Sequence, residues 1–241
     1  GSTTRRVSSH IRTISRIWSI PERLQSWKQG RQDQRARRSL ANGLMDLAAG
    51  KWKSAEQKLL KHVENSDRPL LNYLAAARTA QQLGAVEKRD NYLQLAYASA
   101  PSEDIAVTLT QAELQLSNNQ LEQALATLMH LRQIAPTHGY VLKLLKDLYL
   151  DLESWTQLQQ LLPELHKREV VAREEMNDLE LRVYLELLRQ EAAEQDTEAM
   201  DVTWRKAPKR LRSHGEMVLI YVEYLSANGF EARAERLLQE A

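Results

Sequence analysis

The chain has 241 residues, 43% of them hydrophobic and 27% charged, with a formal net charge of only +1, proportions that are ordinary for a folded globular protein. It contains no Cys, which excludes a disulfide framework, an iron–sulfur cluster and a thiolate zinc site from this sequence. Eight Gly, six Pro and one Phe are few for this length, and the abundance of Leu, Ala, Gln, Glu and Arg points to an all-helical chain.

The near-zero charge hides an asymmetry. Residues 1–40 carry ten Lys/Arg against Glu22 and Asp33, a balance of +8, whereas the rest of the chain stands at −7. A basic arm ahead of an acidic body suits an anionic lipid surface or nucleic acid. Gly1-Ser2 reads as a cloning scar, and Ala241 stops inside an expected helix, so the chain is expected to be a fragment cut at both ends. No run reaches the ~20 apolar residues of a membrane span.

In chain order, residues 4–20 place Val7, Ile11, Ile14, Ile17 and Trp18 on one helical side and Arg12 and Arg16 on the other. Pro21 restarts a helix, which runs through Trp27 and the Arg31–Arg38 cluster toward Leu40 and Leu44. An Arg-rich helix with Ile and Trp opposite suits a bilayer interface, where each basic residue gains ~1 kcal/mol near anionic lipid. The expected membrane-surface residues are Arg5, Arg6, Arg12, Arg16, Trp18, Arg23 and Trp27. The competing reading is a helix that caps the first repeat with its charges solvated. The arm is assigned to residues 1–38.

From Ser39 a repeat begins. Leu93 to Leu128 and Pro101 to Pro136 are each 35 residues, and Gly50 to Gly84 is 34; a two-helix unit recurring every ~34 residues is a tetratricopeptide period. The predicted pairs are 39–49 with 52–65, 70–83 with 86–100, 103–117 with 120–134, 138–151 with 154–167, and 215–227 with 230–241. Pro163 is expected to kink or shorten its helix. Residues 168–212 fit less well and read as a degenerate or lengthened repeat. The fold class is all-α: a right-handed, tetratricopeptide-like helical solenoid over 39–241, with a basic helical arm before it.

Packing follows from the repeated small-to-large spacing. Ala124 should sit where two helices approach most closely, with Leu128 one turn later filling the gap; Ala55 with Leu59 and Ala234 with Leu238 repeat that relation. Stacked pairs leave a concave groove lined by first helices. The groove residues counted within the repeat are Leu74, Arg78, Leu109, Glu113, Lys143 and Asp147. Their mixed signs favour a folded or helical partner over an acidic tail.

Two stretches carry a closer likeness: Arg68-Pro-Leu-Leu-Asn-Tyr-Leu-Ala-Ala-Ala-Arg-Thr-Ala-Gln-Gln82, and Leu109-Thr-Gln-Ala-Glu-Leu-Gln-Leu116 running into Gln123-Ala-Leu-Ala. With the basic leader containing Arg5-Arg6, Trp27 and Arg35-Ala-Arg-Arg38, the chain resembles the HemY family of proteobacterial membrane-anchored tetratricopeptide proteins. The resemblance is specific in residues 20–136 and general in 168–212. It implies a membrane span just before the arm, repeats on the cytoplasmic side of the bacterial inner membrane, and an association with the late steps of haem biosynthesis. The flavin-dependent protoporphyrinogen oxidases of the same name are a separate family. None of this chain's glycines forms the Gly-x-Gly-x-x-Gly of a dinucleotide site, and no alternation of strands and helices could host one.

No His pair has His-Glu-x-x-His spacing, and no Ser-His-Asp order or nucleophile elbow is present. No metal site and no catalytic residue are therefore expected. The expectation is a non-enzymatic scaffold that organises protein partners, namely haem-biosynthesis enzymes, with no cofactor of its own and no nucleic acid. One alternative is a haem or porphyrin carrier, with His138 as ligand and Tyr140 as stacking partner. Another is a membrane-proximal assembly factor of some other envelope pathway.

Overall fold

The structure, a computed structural model, describes residues 27–240; Arg5, Arg6, Arg12, Arg16, Trp18 and Arg23 lie outside the described residues. The chain divides into two compact units, Gly1–Asn119 and Gln120–Ala241. The fold is all-α and tetratricopeptide-like, with no strand among the described residues.

In the first unit, α1 covers 27–48 in its described part. It is followed by α2 (Trp52–Leu60), α3 (Pro69–Gln82), α4 (Val86–Ser99) and α5 (Asp104–Ser117). The expected boundary at residue 38 falls inside α1, which crosses it unbroken. Ala36 is already buried, and Arg37 pairs with Asp67 at 3.1 Å. Three residues separate α3 from α4, a connection so short that the two helices must run antiparallel. Gly84 supplies the left-handed residue of that turn, with φ +68°, a conformation open to glycine without a Cβ penalty. Asn119, Glu153 and Gln195 adopt it in later turns.

The core of this unit is small against large. Ala55, Leu59, Ala76, Ala77, Ala80 and Ala96 are fully buried, packed with Leu70, Leu93, Val107 and Leu114. The second helix of the first pair was expected to reach residue 65, but α2 stops at Leu60. The Ser39 hydroxyl donates to the Lys58 carbonyl at 2.7 Å, and the buried Asn72 amide donates to the Leu59 carbonyl at 2.6 Å. Side chains from neighbouring helices thus replace the backbone donors that a further turn would supply. A single 3-10 turn, Val63–Asn65, then leads to Pro69.

The second unit contains α6 (Leu121–Ile134), α7 (Gly139–Asp151), α8 (Trp155–Lys167), α9 (Arg173–Glu194), α10 (Thr197–Lys206), α11 (Lys209–Arg212), α12 (Gly215–Ala227) and α13 (Glu231–Glu240). Pro163 does not shorten α8, which runs on to Lys167. The Gln159 carbonyl loses its donor to the proline, yet burial of Leu158, Leu161, Leu162 and Leu165 on the opposite stripe holds the helix together. α9 has 22 residues and no Gly or Pro, and it packs on α8, α10 and α12. This lengthened helix and the one-turn α11 are where the chain leaves the regular pattern. Ala234 is buried, but Leu238 is 60% exposed: among the described residues no helix follows α13 to cover it.

Between α9 and α10, the Thr203 hydroxyl donates to Glu191 at 2.6 Å, while the second carboxylate oxygen of Glu191 is buried without a partner. Burial, reinforced by Asp196 and Glu194, raises the Glu191 pKa above the ordinary glutamate value despite the Thr203 bond. The folded state therefore holds this proton more tightly than the unfolded state does. That contribution is present below the ordinary glutamate range and is lost as pH rises through the raised folded value. Glu191→Gln, which keeps the acceptor for Thr203, should melt at a higher temperature than the wild type at neutral pH. The difference should close on acidification, as thermal unfolding at a series of pH values would show.

Candidate partner-binding surface

The first helices α3 and α5 of the first unit lie against each other. Their buried faces are set by alanines: Ala75, Ala76, Ala77 and Ala80 on α3, and Ala112 on α5. Small residues bring the backbones close, and the longer side chains are left facing out. Leu74 and Leu109 are half-buried at that rim and Arg78 is exposed. Arg78 donates to the Glu113 carboxylate across the two helices, so two of the expected groove residues neutralise each other.

Lys143 and Asp147 lie on α7 in the second unit. Lys143 is exposed, and Asp147 accepts from Lys146 at 2.9 Å. Lys146, which the spacing argument passed over, is the more constrained residue. It is 6% exposed and also bonds Glu175 of α9 at 3.0 Å. Burial opposes its charge, but the bonds to Asp147 and Glu175 outweigh that and hold its pKa above the ordinary lysine value.

The Lys146–Glu175 and Arg78–Glu113 bonds belong to a wider pattern. On first helices, Arg189 of α9 also reaches Glu216 of α12. On second helices, Lys88 of α4 meets Glu56 of α2 at 3.0 Å. Arg132 of α6 meets Glu164 of α8 at 2.5 Å, and Arg233 of α13 meets Asp201 of α10 at 3.0 Å. The partners are 27 to 35 residues apart in sequence, close to one repeat, so each pair ties like helices of neighbouring repeats. Glu56 also accepts from the Tyr92 hydroxyl at 2.8 Å, and burial together with this carboxylate pushes the Tyr92 phenol up to about 12.

Most of these pairs are solvent-facing, which limits each to about 0.2–1 kcal/mol. Arg78→Gln should therefore change the unfolding free energy by less than about 1 kcal/mol in a denaturant titration. Loss of a partner on that substitution would then report a contact rather than a folding defect.

With its charges paired, the surface of the first unit offers apolar groups. Leu71 on α3 is 44% exposed, and Leu44 and Met45 on α1 are 42% and 62% exposed. The charge count along the repeat did not include these three. Trp27, expected at a membrane surface, is 55% exposed and carries the Arg31 guanidinium over its ring at 3.8 Å.

The sequence profile described as HemY protein N-terminus matches residues 7–84. Protein HemY of Escherichia coli K12 is 27% identical over 212 residues, covering 88% of this chain and 53% of that protein, and Protein HemY of Shigella flexneri matches equally. The chain is similar to the HemY proteins. It spans about half the length of these curated HemY relatives. Among solved structures, PilF of Pseudomonas aeruginosa superposes with a TM-score of 0.46 at 17% identity, covering 86% of this chain and 91% of that one. MamA from AMB-1 gives 0.46 at 15% identity, covering 73% and 91%. Within the described residues the HemY match takes in α1, α2 and α3 and ends at the left-handed Gly84.

His138 stands at the N-terminal cap of α7. Its Nδ1 accepts from the Val141 N–H at 3.4 Å, so Nε2 is the ring nitrogen left for any ligand. Tyr140, two residues on, is 43% exposed. Among the described residues no three His, Cys, Asp or Glu converge as a metal site, and no helix is long and apolar enough to cross a membrane.

Proposed function

We propose that this chain is a non-enzymatic scaffold held at the cytoplasmic face of the bacterial inner membrane, where its helix pairs bind and organise enzymes of late haem biosynthesis. The observation that carries the protein-binding part is the first-helix surface of the first unit. Its Arg78 and Glu113 satisfy each other, and its exposed large apolar side chains include Leu71, Leu44 and Met45. A surface with paired charge and apolar side chains gains most by covering another apolar surface, such as one face of a partner helix. The pathway and the membrane tether rest on the HemY likeness and on the basic residues ahead of α1.

Crosslinking and pull-down of the membrane-anchored full-length protein is the test. Enzymes of the pathway should be recovered, and Leu71→Glu on that surface should lose them without unfolding the chain, since Leu71 is exposed. Failure to recover any haem-pathway enzyme would remove the pathway from this reading. A haemin titration addresses the carrier alternative: a saturable Soret shift abolished by His138→Ala would replace the scaffold reading with that one.

A further inference from the structure

The second unit holds a recess of about 370 Å3 between α10, α12 and α13. Its floor is aromatic: Trp204 of α10 stacks on Tyr221 of α12 with ring centroids 4.4 Å apart and planes 13° off parallel. Both are more than nine-tenths buried. Leu225 and Leu237 form the apolar wall.

Three guanidiniums, from Arg205, Arg233 and Arg236, face this recess against one carboxylate, Asp201. That carboxylate is already committed. It accepts from the Tyr221 hydroxyl at 2.5 Å and from Arg233 at 3.0 and 3.2 Å. Although burial works the other way, these bonds hold Asp201 below the ordinary aspartate value. Burial and Asp201 together raise the Tyr221 phenol far above its usual value, so it remains a donor.

Arg205 and Arg236 are differently placed. Each folds back on its own helix and donates Nε to the carbonyl four residues earlier, Asp201 at 3.0 Å and Ala232 at 3.1 Å. Neither forms an ion pair within 4.0 Å of a carboxylate among the described residues, although Arg205 acts on Asp201 through space. Two guanidinium forks anchored through Nε, beside an apolar wall, match a planar anion carried on a hydrocarbon stem.

We propose that this recess binds a carboxylate displayed beside an apolar side chain, presented by an acidic segment of a protein partner. This rests on the protein-binding reading above and adds a second contact point, in the second unit. A free phosphate would engage the guanidiniums but leave Leu225 and Leu237 unused. A neutral apolar group would leave both forks uncompensated.

Hydrocinnamate, a carboxylate on an aromatic stem, serves as the probe, with the Trp204 indole N–H resonance as the reporter. Hydrocinnamate should shift that resonance saturably, and the isosteric amide should not. Arg205→Gln with Arg236→Gln should weaken binding by about tenfold or more, as expected for loss of a charge-assisted hydrogen bond. Thermal unfolding of the double variant should match the wild type, since both side chains are exposed. An equal shift by the amide, tighter binding of inorganic phosphate, or full binding by the double variant would overturn the proposal. Recovery of the same partners by wild type and double variant in the pull-down would sink this inference and leave the scaffold standing. Carboxylate binding with no haem enzyme recovered would sink the pathway and leave the recess.

Discussion

Leu128→Ala is expected to lower the unfolding free energy by about 2–5 kcal/mol. The side chain is fully buried on α6, one turn after the equally buried Ala124 and one turn before Leu131. Removing it deletes apolar contacts and leaves a void that backbone packed through alanine cannot close. A urea titration should show a lower midpoint with little change in slope. The comparison that gives the result meaning is Leu238→Ala. Leu238 stands in the same relation to Ala234 as Leu128 does to Ala124, yet it is 60% exposed, so its loss should stay within about 0.5 kcal/mol. Equal costs at the two positions would contradict the packing described for α6 and α13.

Gly43→Ala should also destabilise, by about 1–3 kcal/mol, although the same change in an exposed helix interior gains up to ~1 kcal/mol. The sign reverses because a Cβ at Gly43 would lie 2.7 Å from Leu59 Cγ and 3.1 Å from the Leu59 backbone nitrogen. Leu59 is fully buried, and its backbone cannot swing aside, so α1 and α2 would have to separate. Gly30 lies in the same helix with nothing within 4 Å of its would-be Cβ, and Gly30→Ala should stabilise. Combining Gly43→Ala with Leu59→Ala should give a cost below the sum of the two, because the second substitution makes room for the first. Strict additivity would mean that the two positions do not touch.

Helix positions were legible from local spacing because each repeat writes its own punctuation. Pro69, Pro101 and Pro136 lie at or just before first helices, and Gly50, Gly84 and Gly229 take left-handed turns. The small-to-large rule placed Ala55, Leu59, Ala124 and Leu128 in the core. It failed at Leu238, because burial there depends on a neighbour and not on the helix itself. The end of α2 was illegible for a related reason: the donors that terminate it come from Ser39 and Asn72, on other helices. Pro163 looked disruptive because a lost hydrogen bond is local, while the four leucines that offset it act through packing.

For the candidate surface, the sequence placed Arg78 and Glu113 on the right helices but not against each other. The signal was present in their separation of 35 residues, since a repeat period converts distant positions into neighbours. Lys146 gave no such warning. It sits among Val141, Leu142, Leu145 and Tyr149 on a helix that is buried over much of its circumference, where a lysine at that register reads as solvated.

The ion pairs joining like helices have a bearing on modularity. Each module carries half of a bond whose other half belongs to the module beside it. Excising α3 and α4 as a cassette would strand Glu113 and Glu56, which lose Arg78 and Lys88. A foreign cassette grafted between α2 and α5 would need opposite charges at both of those places. Shuffling these repeats one at a time is thus penalised, and exchange is favoured only in blocks that carry complete pairs.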